Sequence, residues 1–300
     1  MNPLLSVLVQ LGIIDAATAD RLNAQLTPEQ ARTYAETQLT TAFTGGLQGQ
    51  YERVLQFVAR NPQATQAQWD AFWQQENAAL WASVEPTMLQ LASDGAIVAT
   101  LATGNPENWQ AVNQKVIDWT RTYYAQGEDF GSMLQLNQTA RQQVADAVIA
   151  WNQGGLSSQL GLPSLALELQ PTFGRARAET IAITEYTRIG TQTKIFEAEA
   201  DEDIDGYQYL SAADDLVCSR CGPVHGMVIP KGATGFIHPT LGNVGFPPLH
   251  GRCRCDVAFT TIHTKTVPLR DSYKFSGPLP DPNAPKKEPK PKKAKKAKTP

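Results

Sequence analysis

The chain has 300 residues, 42% of them hydrophobic and 18% charged, and a net charge of −3. That length can bury a real core and predicts two or three structural units. No segment approaches 18 uninterrupted apolar residues, which excludes a membrane-spanning helix. Residues 1–15 carry no basic region ahead of their short apolar run, so a soluble, non-exported protein is expected.

From residue 1 to about 200 the sequence reads as helical, rich in Ala, Gln, Leu and Thr and poor in strand-like alternation. Tyr51, Val54, Leu55 and Val58 mark one helix. Trp69, Phe72, Trp73, Leu80, Trp81 and Val84 mark the next, with the turn-like Asn61-Pro62 between them. Asn105-Pro106-Glu107 reads as an N-cap, a proline at the first helical position and an acid in the first turn. The residues that follow, Trp109, Val112, Val116, Trp119 and Tyr123, step by 3 and 4 and form one apolar stripe, predicted to be core. A further helix is expected over 137–151, stopped by Gly154-Gly155, and a short helix or turn over 161–171. The element over 175–200 places Ala182, Tyr186, Ile189 and Phe196 on one face, with Glu185 and Arg188 beside it at the spacing of a surface ion pair. Beyond an acidic stretch, Tyr207-Gln-Tyr-Leu210 and Cys255-Asp-Val-Ala-Phe259 alternate like short strands.

All four cysteines fall in the last third, as Cys218-Ser-Arg-Cys221 and His250-Gly-Arg-Cys253-Arg-Cys255, on either side of a Gly/Pro-rich loop. A Cys-x2-Cys turn offers two thiolates to one point, and zinc takes four such ligands in a closed tetrahedron. Cys218, Cys221, His250, Cys253 and Cys255 are therefore five candidates for four places around a structural zinc. Disulfides, which need an oxidising compartment, and buried free thiols are the alternatives.

The net charge conceals an asymmetry. Residues 286–300 hold eight lysines and one glutamate, +7, which leaves −10 on the first 285 residues. With no aromatic or branched apolar residue, this tail is expected to be disordered. Lys286, Lys287, Lys290, Lys292, Lys293, Lys295, Lys296 and Lys298 form either a sequence-blind polyanion binder governed by counterion release, or a solubilising tail or tether to an acidic partner. The expected fold is a mainly α N-terminal body followed by a small α+β zinc-stapled module and a disordered basic tail. The expected divisions are 1–104, 105–200, 201–264 and 265–300.

These residues resemble the phage head morphogenesis family, the minor head proteins typified by protein F of phage Mu. The matching pieces are Arg177-Ala-Glu-Thr-Ile-Ala-Ile-Thr-Glu185-Tyr-Thr-Arg188, the strand, acid and Cys-x2-Cys of residues 207–221, Val224-His-Gly226, and Pro247-Pro-Leu-His-Gly-Arg-Cys-Arg-Cys255. The last is the specific one. The resemblance spans roughly residues 105–262. It departs at Gly251, where the family usually has proline, and at Ile183, where a basic residue is common. It implies a low-copy virion component that enters the prohead beside the portal, with portal and capsid or scaffold proteins as partners and packaged DNA as a further one through the lysine tail. Its expected location is the virion head, and the host cytoplasm during assembly. No catalytic residue comes with it, so a non-enzyme is expected.

Four other readings compete. A zinc deaminase needs His or Cys two residues before a glutamate upstream of the cysteines, and none stands there. A zinc-stapled nuclease would draw on His225, His238 or His263 as base or second-metal ligand. A zinc-knuckle nucleic-acid binder would use Arg220, Arg252, Arg254 and the tail. Thiol redox chemistry at Cys218 and Cys221 is disfavoured, because Gly222-Pro223 prevents the helix whose dipole would activate the pair.

Overall fold

The computed structural model describes residues 14–24, 28–126, 133–153, 161–212 and 217–261, with Val9, Gln10 and Gly12 before them. The lysine tail, His263, the Gly154-Gly155 stop and the acids Asp214 and Asp215 lie outside the described residues. Among the described residues seven helices come first: α1 (Ala16–Ala24), α2 (Pro28–Arg60), α3 (Gln66–Thr103), α4 (Trp109–Gln126), α5 (Met133–Gln153), α6 (Gly161–Phe173) and α7 (Arg175–Ala200). Five short strands follow: β1 (Ile204–Leu210), β2 (Val228–Pro230), β3 (Phe236–His238), β4 (Gly242–Val244) and β5 (Asp256–Thr261). The protein is thus a mainly helical body followed by a small sheet region.

The longest helix, α3, has both ends specified locally. Thr65 accepts from the Gln68 N–H while Gln68 accepts from the Thr65 N–H, a capping box, and Gly104 closes the far end at φ 79°. At 38 residues it runs about 57 Å, the length of the body. It crosses α2 closely at Gly46, where a side-chain carbon would meet Leu80 at 2.8 Å, so a glycine in mid-helix is used for approach. Leu39, Phe43, Leu47, Val54, Leu80, Val84 and Met88 fill this contact, and one continuous core extends from them through α4, α5 and α6 to Ile189 of α7.

Two helical expectations shift in detail. A 3₁₀ turn, Pro106–Asn108, precedes α4, and the Asn105 side-chain amide donates to Asp201. The fully buried stripe of α4 is Val112, Val116, Thr120 and Tyr124, with Trp109, Trp119 and Tyr123 half-buried along its flank. The stripe is rotated because Thr120 hides its hydroxyl on the Val116 carbonyl, and Tyr124 finds a buried acceptor in Glu185. The Glu185–Arg188 pair, expected at the surface, is interior. Its side chains are 2% and 16% exposed, and the Arg188 guanidinium lies over the Tyr123 ring.

Helix α7 joins the two parts. Ala178, Ile181, Ala182 and Ile189 belong to the body core, whereas Ala198 belongs to a second core with Ile204, Tyr207, Tyr209, Ile229 and Val257. That second core lies under an antiparallel sheet of order β2-β1-β5, in which Tyr207 pairs with Ile229 and Phe259. Strands β3 and β4 form a separate hairpin, Phe236 opposite Val244. Gly206 sits where β1 is irregular against β5, and a methyl group there would lie 2.5 Å from the Ile229 carbonyl oxygen. Backbone cannot yield as a flexible side chain can. Gly206→Ala is therefore expected to destabilise the sheet module by about 1–3 kcal/mol, read as protease cleavage within residues 204–261 at a lower temperature.

Candidate metal centre

Two four-residue turns face each other. In the first, the Cys221 and Gly222 N–H groups donate to the Cys218 carbonyl at 3.1 and 3.0 Å, and a 3₁₀ turn over Gly222–Val224 leads away. In the second, the Cys253 N–H donates to the His250 carbonyl at 3.3 Å, with Arg252 left-handed at φ 61° in its third position. Each turn closes between its two outer residues. Those four residues, Cys218, Cys221, His250 and Cys253, are donors.

His250 Nε2 lies 3.0 Å from Cys218 Sγ and 3.2 Å from Cys221 Sγ, and Cys221 Sγ lies 3.8 Å from Cys253 Sγ. Two thiolates bound to one zinc at about 2.3 Å stand about 3.8 Å apart at the tetrahedral angle, so the last distance is that of a zinc-site edge. The imidazole is oriented for ligation too, with Nδ1 2.7 Å from the Gly251 carbonyl. Such a bond leaves the proton on Nδ1 and turns the Nε2 lone pair to the thiols, the usual second-shell support of a ligating histidine. Cys255 is within 4.8 Å of Cys221 and Cys253, while Cys218, Cys221 and His250 make a second group of the same span. All four cysteines are free, and all but Cys218 are buried. All five sequence-derived candidates are brought together.

The electrostatics suit a cation. The Cys221 thiol, and after it the Cys255 thiol, hydrogen-bond to Cys253 and hold it far below the ordinary thiol range. Its neighbour His250 is pushed up to about 9, first by the hydrogen bond to Cys253. A buried thiolate beside an imidazolium is the charge pattern from which zinc displaces protons. Tyr209, with no exposed surface, points its hydroxyl at Cys221 Sγ across 3.5 Å, a buried donor to sulfur.

The second turn is seated on a threonine stripe of α7 at spacings of 4 and 3. Thr180 packs against Gly251, Thr184 Oγ1 accepts the Arg252 N–H at 2.9 Å, and Thr187 Oγ1 donates to the Cys253 carbonyl at 2.7 Å. Arg32 of α2 adds Nη bonds to Thr187 and to the Arg254 carbonyl. Lys194 ties β5 down through Asp256 and the Val257 carbonyl. Thr187→Val keeps the shape but removes the donor to a buried carbonyl. It is expected to cost about 1–3 kcal/mol in thermal unfolding. An effect within a few tenths of a kcal/mol would show that this bond does not seat the turn.

A cavity of about 250 Å³ opens beside the donors, lined by Cys218, Cys221, His250, Cys255, Arg252 and Arg254 among others. Its arginines are engaged, Arg252 with Glu179 at 3.2 Å and Arg254 with Glu36 at 3.4 Å. A zinc with three thiolates and one imidazole would carry a net negative charge beside these two ion pairs. Of the histidines offered for nuclease chemistry, His225 follows the 3₁₀ turn and His238 ends β3. His225 Nδ1 meets the Ser211 N–H and hydroxyl, and His238 is buried against the Arg220 carbonyl.

A helical body whose last helix carries a small sheet pinned by a Cys/His turn pair defines the class of this protein. Residues 138–258 are matched by the family model of phage Mu protein F like proteins, and that part of the chain is similar to them. The match runs from α5 into β5 and takes in α7 and all five donors. It is shorter at its start than the span of roughly 105–262 read from the motifs. No curated protein and no solved structure matches the chain. No helix among the described residues is long and apolar enough to cross a membrane.

Proposed function

We propose that this chain is a minor head protein of a tailed phage or prophage, acting in head morphogenesis at the portal-proximal side. In this reading its Cys/His centre holds one structural zinc through Cys218, Cys221, His250 and Cys253. The observation that carries it is the facing pair of turns with donors at both ends, inside the phage Mu F-like segment. Cys255 is the fifth donor, left outside the tetrahedron and facing Tyr209. The zinc supplies folding free energy to the sheet module and no chemistry, since a site closed by four protein ligands has no open position.

The partners are the portal and the capsid or scaffold proteins. The lysines from Lys286 to Lys298 contact packaged DNA or another acidic virion surface. The test of the head role is protein mass spectrometry on particles purified from a strain carrying the encoding phage, where the chain is expected at low copy in the head fraction. Its absence from heads and proheads would overturn the assignment. For the tail, removal of residues 281–300 is expected to abolish the salt-dependent part of DNA binding. Unchanged binding would assign the tail to a protein partner.

A further inference from the structure

We infer that His238 is a positioning residue for the zinc site, holding the Cys218–Cys221 turn in register from the β3–β4 hairpin. This rests on the metal reading above. His238 is only 1% exposed, so its polar atoms must find partners inside the protein. Its Nδ1 accepts the N–H groups of Thr240 at 3.1 Å and Leu241 at 3.2 Å. A nitrogen that accepts two N–H bonds carries no proton, so the ring proton resides on Nε2. That Nε2–H donates to the Arg220 carbonyl at 2.6 Å.

Arg220 is the third residue of the Cys218–Cys221 turn, and its carbonyl adjoins the Cys221 amide. Fixing that peptide plane fixes the direction in which Cys221 Sγ leaves the backbone, and Cys221 is the thiol common to both donor groups. The second turn has its own supports in Thr184 and Thr187 on α7. The first turn lies far from that stripe in the chain, and the imidazole of His238 bridges it to the hairpin as one rigid strut. This histidine does not ligate metal and does not move protons. It plays toward the Cys-x2-Cys turn the part that the Nδ1 bond of His250 plays toward the other half. Outer-shell supports of this kind change metal affinity without touching the metal.

The experiment compares zinc affinity, by chelator competition, in the full-length protein and in His238→Phe and His238→Gln. Phenylalanine fills the buried volume but donates nothing. Glutamine keeps an N–H for the Arg220 carbonyl and an oxygen for the hairpin amides. His238→Phe is expected to weaken zinc binding about ten- to a hundredfold and to distort the visible bands of the cobalt-substituted protein, with His238→Gln recovering most of the loss. A purely space-filling role gives the reverse order, with phenylalanine the better substitute, and overturns the inference. So does zinc affinity unchanged in both variants. Wild-type protein that takes up no zinc overturns this inference together with the metal reading, whereas normal wild-type uptake with unaffected variants removes the positioning role alone. Should both variants unfold, long-range ¹H–¹⁵N NMR of the unsubstituted protein decides. The Nε2–H tautomer of His238 is expected, and an Nδ1–H tautomer contradicts it.

Discussion

Cys221→Ser is expected to remove the metal and to unfold the sheet module while sparing the helical body. Cys221 touches His250 at 3.2 Å and Cys253 at 3.8 Å, Tyr209 donates to it, and it is the thiol common to both donor groups, so its loss breaks both. Zinc binding in small zinc-dependent folds is worth about 10–16 kcal/mol near neutral pH, and that free energy is folding free energy. Here the module also has an apolar core around Tyr207, Tyr209, Ile229 and Val257, so the expected net loss is several kcal/mol. The body core from Ala35 to Ile189 contains none of the donors. All six tryptophans lie in the body, so their emission reports on that part alone. Expected is protease cleavage within residues 204–261, with tryptophan emission and most helical circular dichroism retained. A single unfolding transition at the wild-type temperature would show that the centre does not support the module.

The second large effect is expected at Glu185→Ala, far from the metal. Glu185 Oε2 receives the Tyr124 hydroxyl at 2.7 Å and Arg188 Nε at 2.8 Å, and all three groups are in the interior. Removing the carboxylate leaves a buried guanidinium facing a phenol. Breaking one partner of a buried ion pair costs about 3–5 kcal/mol, whereas Glu185→Gln keeps an acceptor oxygen and is expected to cost about 1–2 kcal/mol. Burial, partly offset by Arg188 and Tyr124, raises the Glu185 carboxyl above its ordinary range. A carboxyl with a raised folded pKa binds its proton more tightly folded than unfolded. Its own contribution to stability is therefore greatest below the unfolded value and declines as pH rises through the folded one. Glu185 does not drive acid unfolding. An acid midpoint that Glu185→Gln does not lower fits this sign, and a midpoint shifted to markedly lower pH contradicts it.

Much of this was legible because some physical constraints are local. Zinc ligation from a turn needs two donors three residues apart, and both Cys218/Cys221 and His250/Cys253 have that spacing in the sequence. The long helices follow from periodic apolar residues and from Thr65 and Gly104 at the ends of α3. What the sequence hid is set by distant partners. The i, i+3 spacing of Glu185 and Arg188 is the same on a surface as in a core, and only Tyr124, 61 positions away, makes the pair interior. The role of His238 depends on a carbonyl 18 residues earlier, and nothing near His238 announces it. The stripe of Thr180, Thr184 and Thr187 was visible, and hydroxyls on a helix face facing a Gly-Arg-Cys turn are a signal that sequence reasoning can use. Arg32, which reaches the Arg254 carbonyl across 222 positions, left none.

The most direct test of the account is zinc content of the purified, reduced full-length protein, measured by elemental analysis in the wild type, His250→Ala and Cys255→Ser. The account predicts one zinc per chain in the wild type, loss in His250→Ala and retention in Cys255→Ser. No metal in the wild type, with four thiols titrating at once, would contradict the metal centre. Zinc kept by His250→Ala and lost by Cys255→Ser would contradict the four ligands assigned to it.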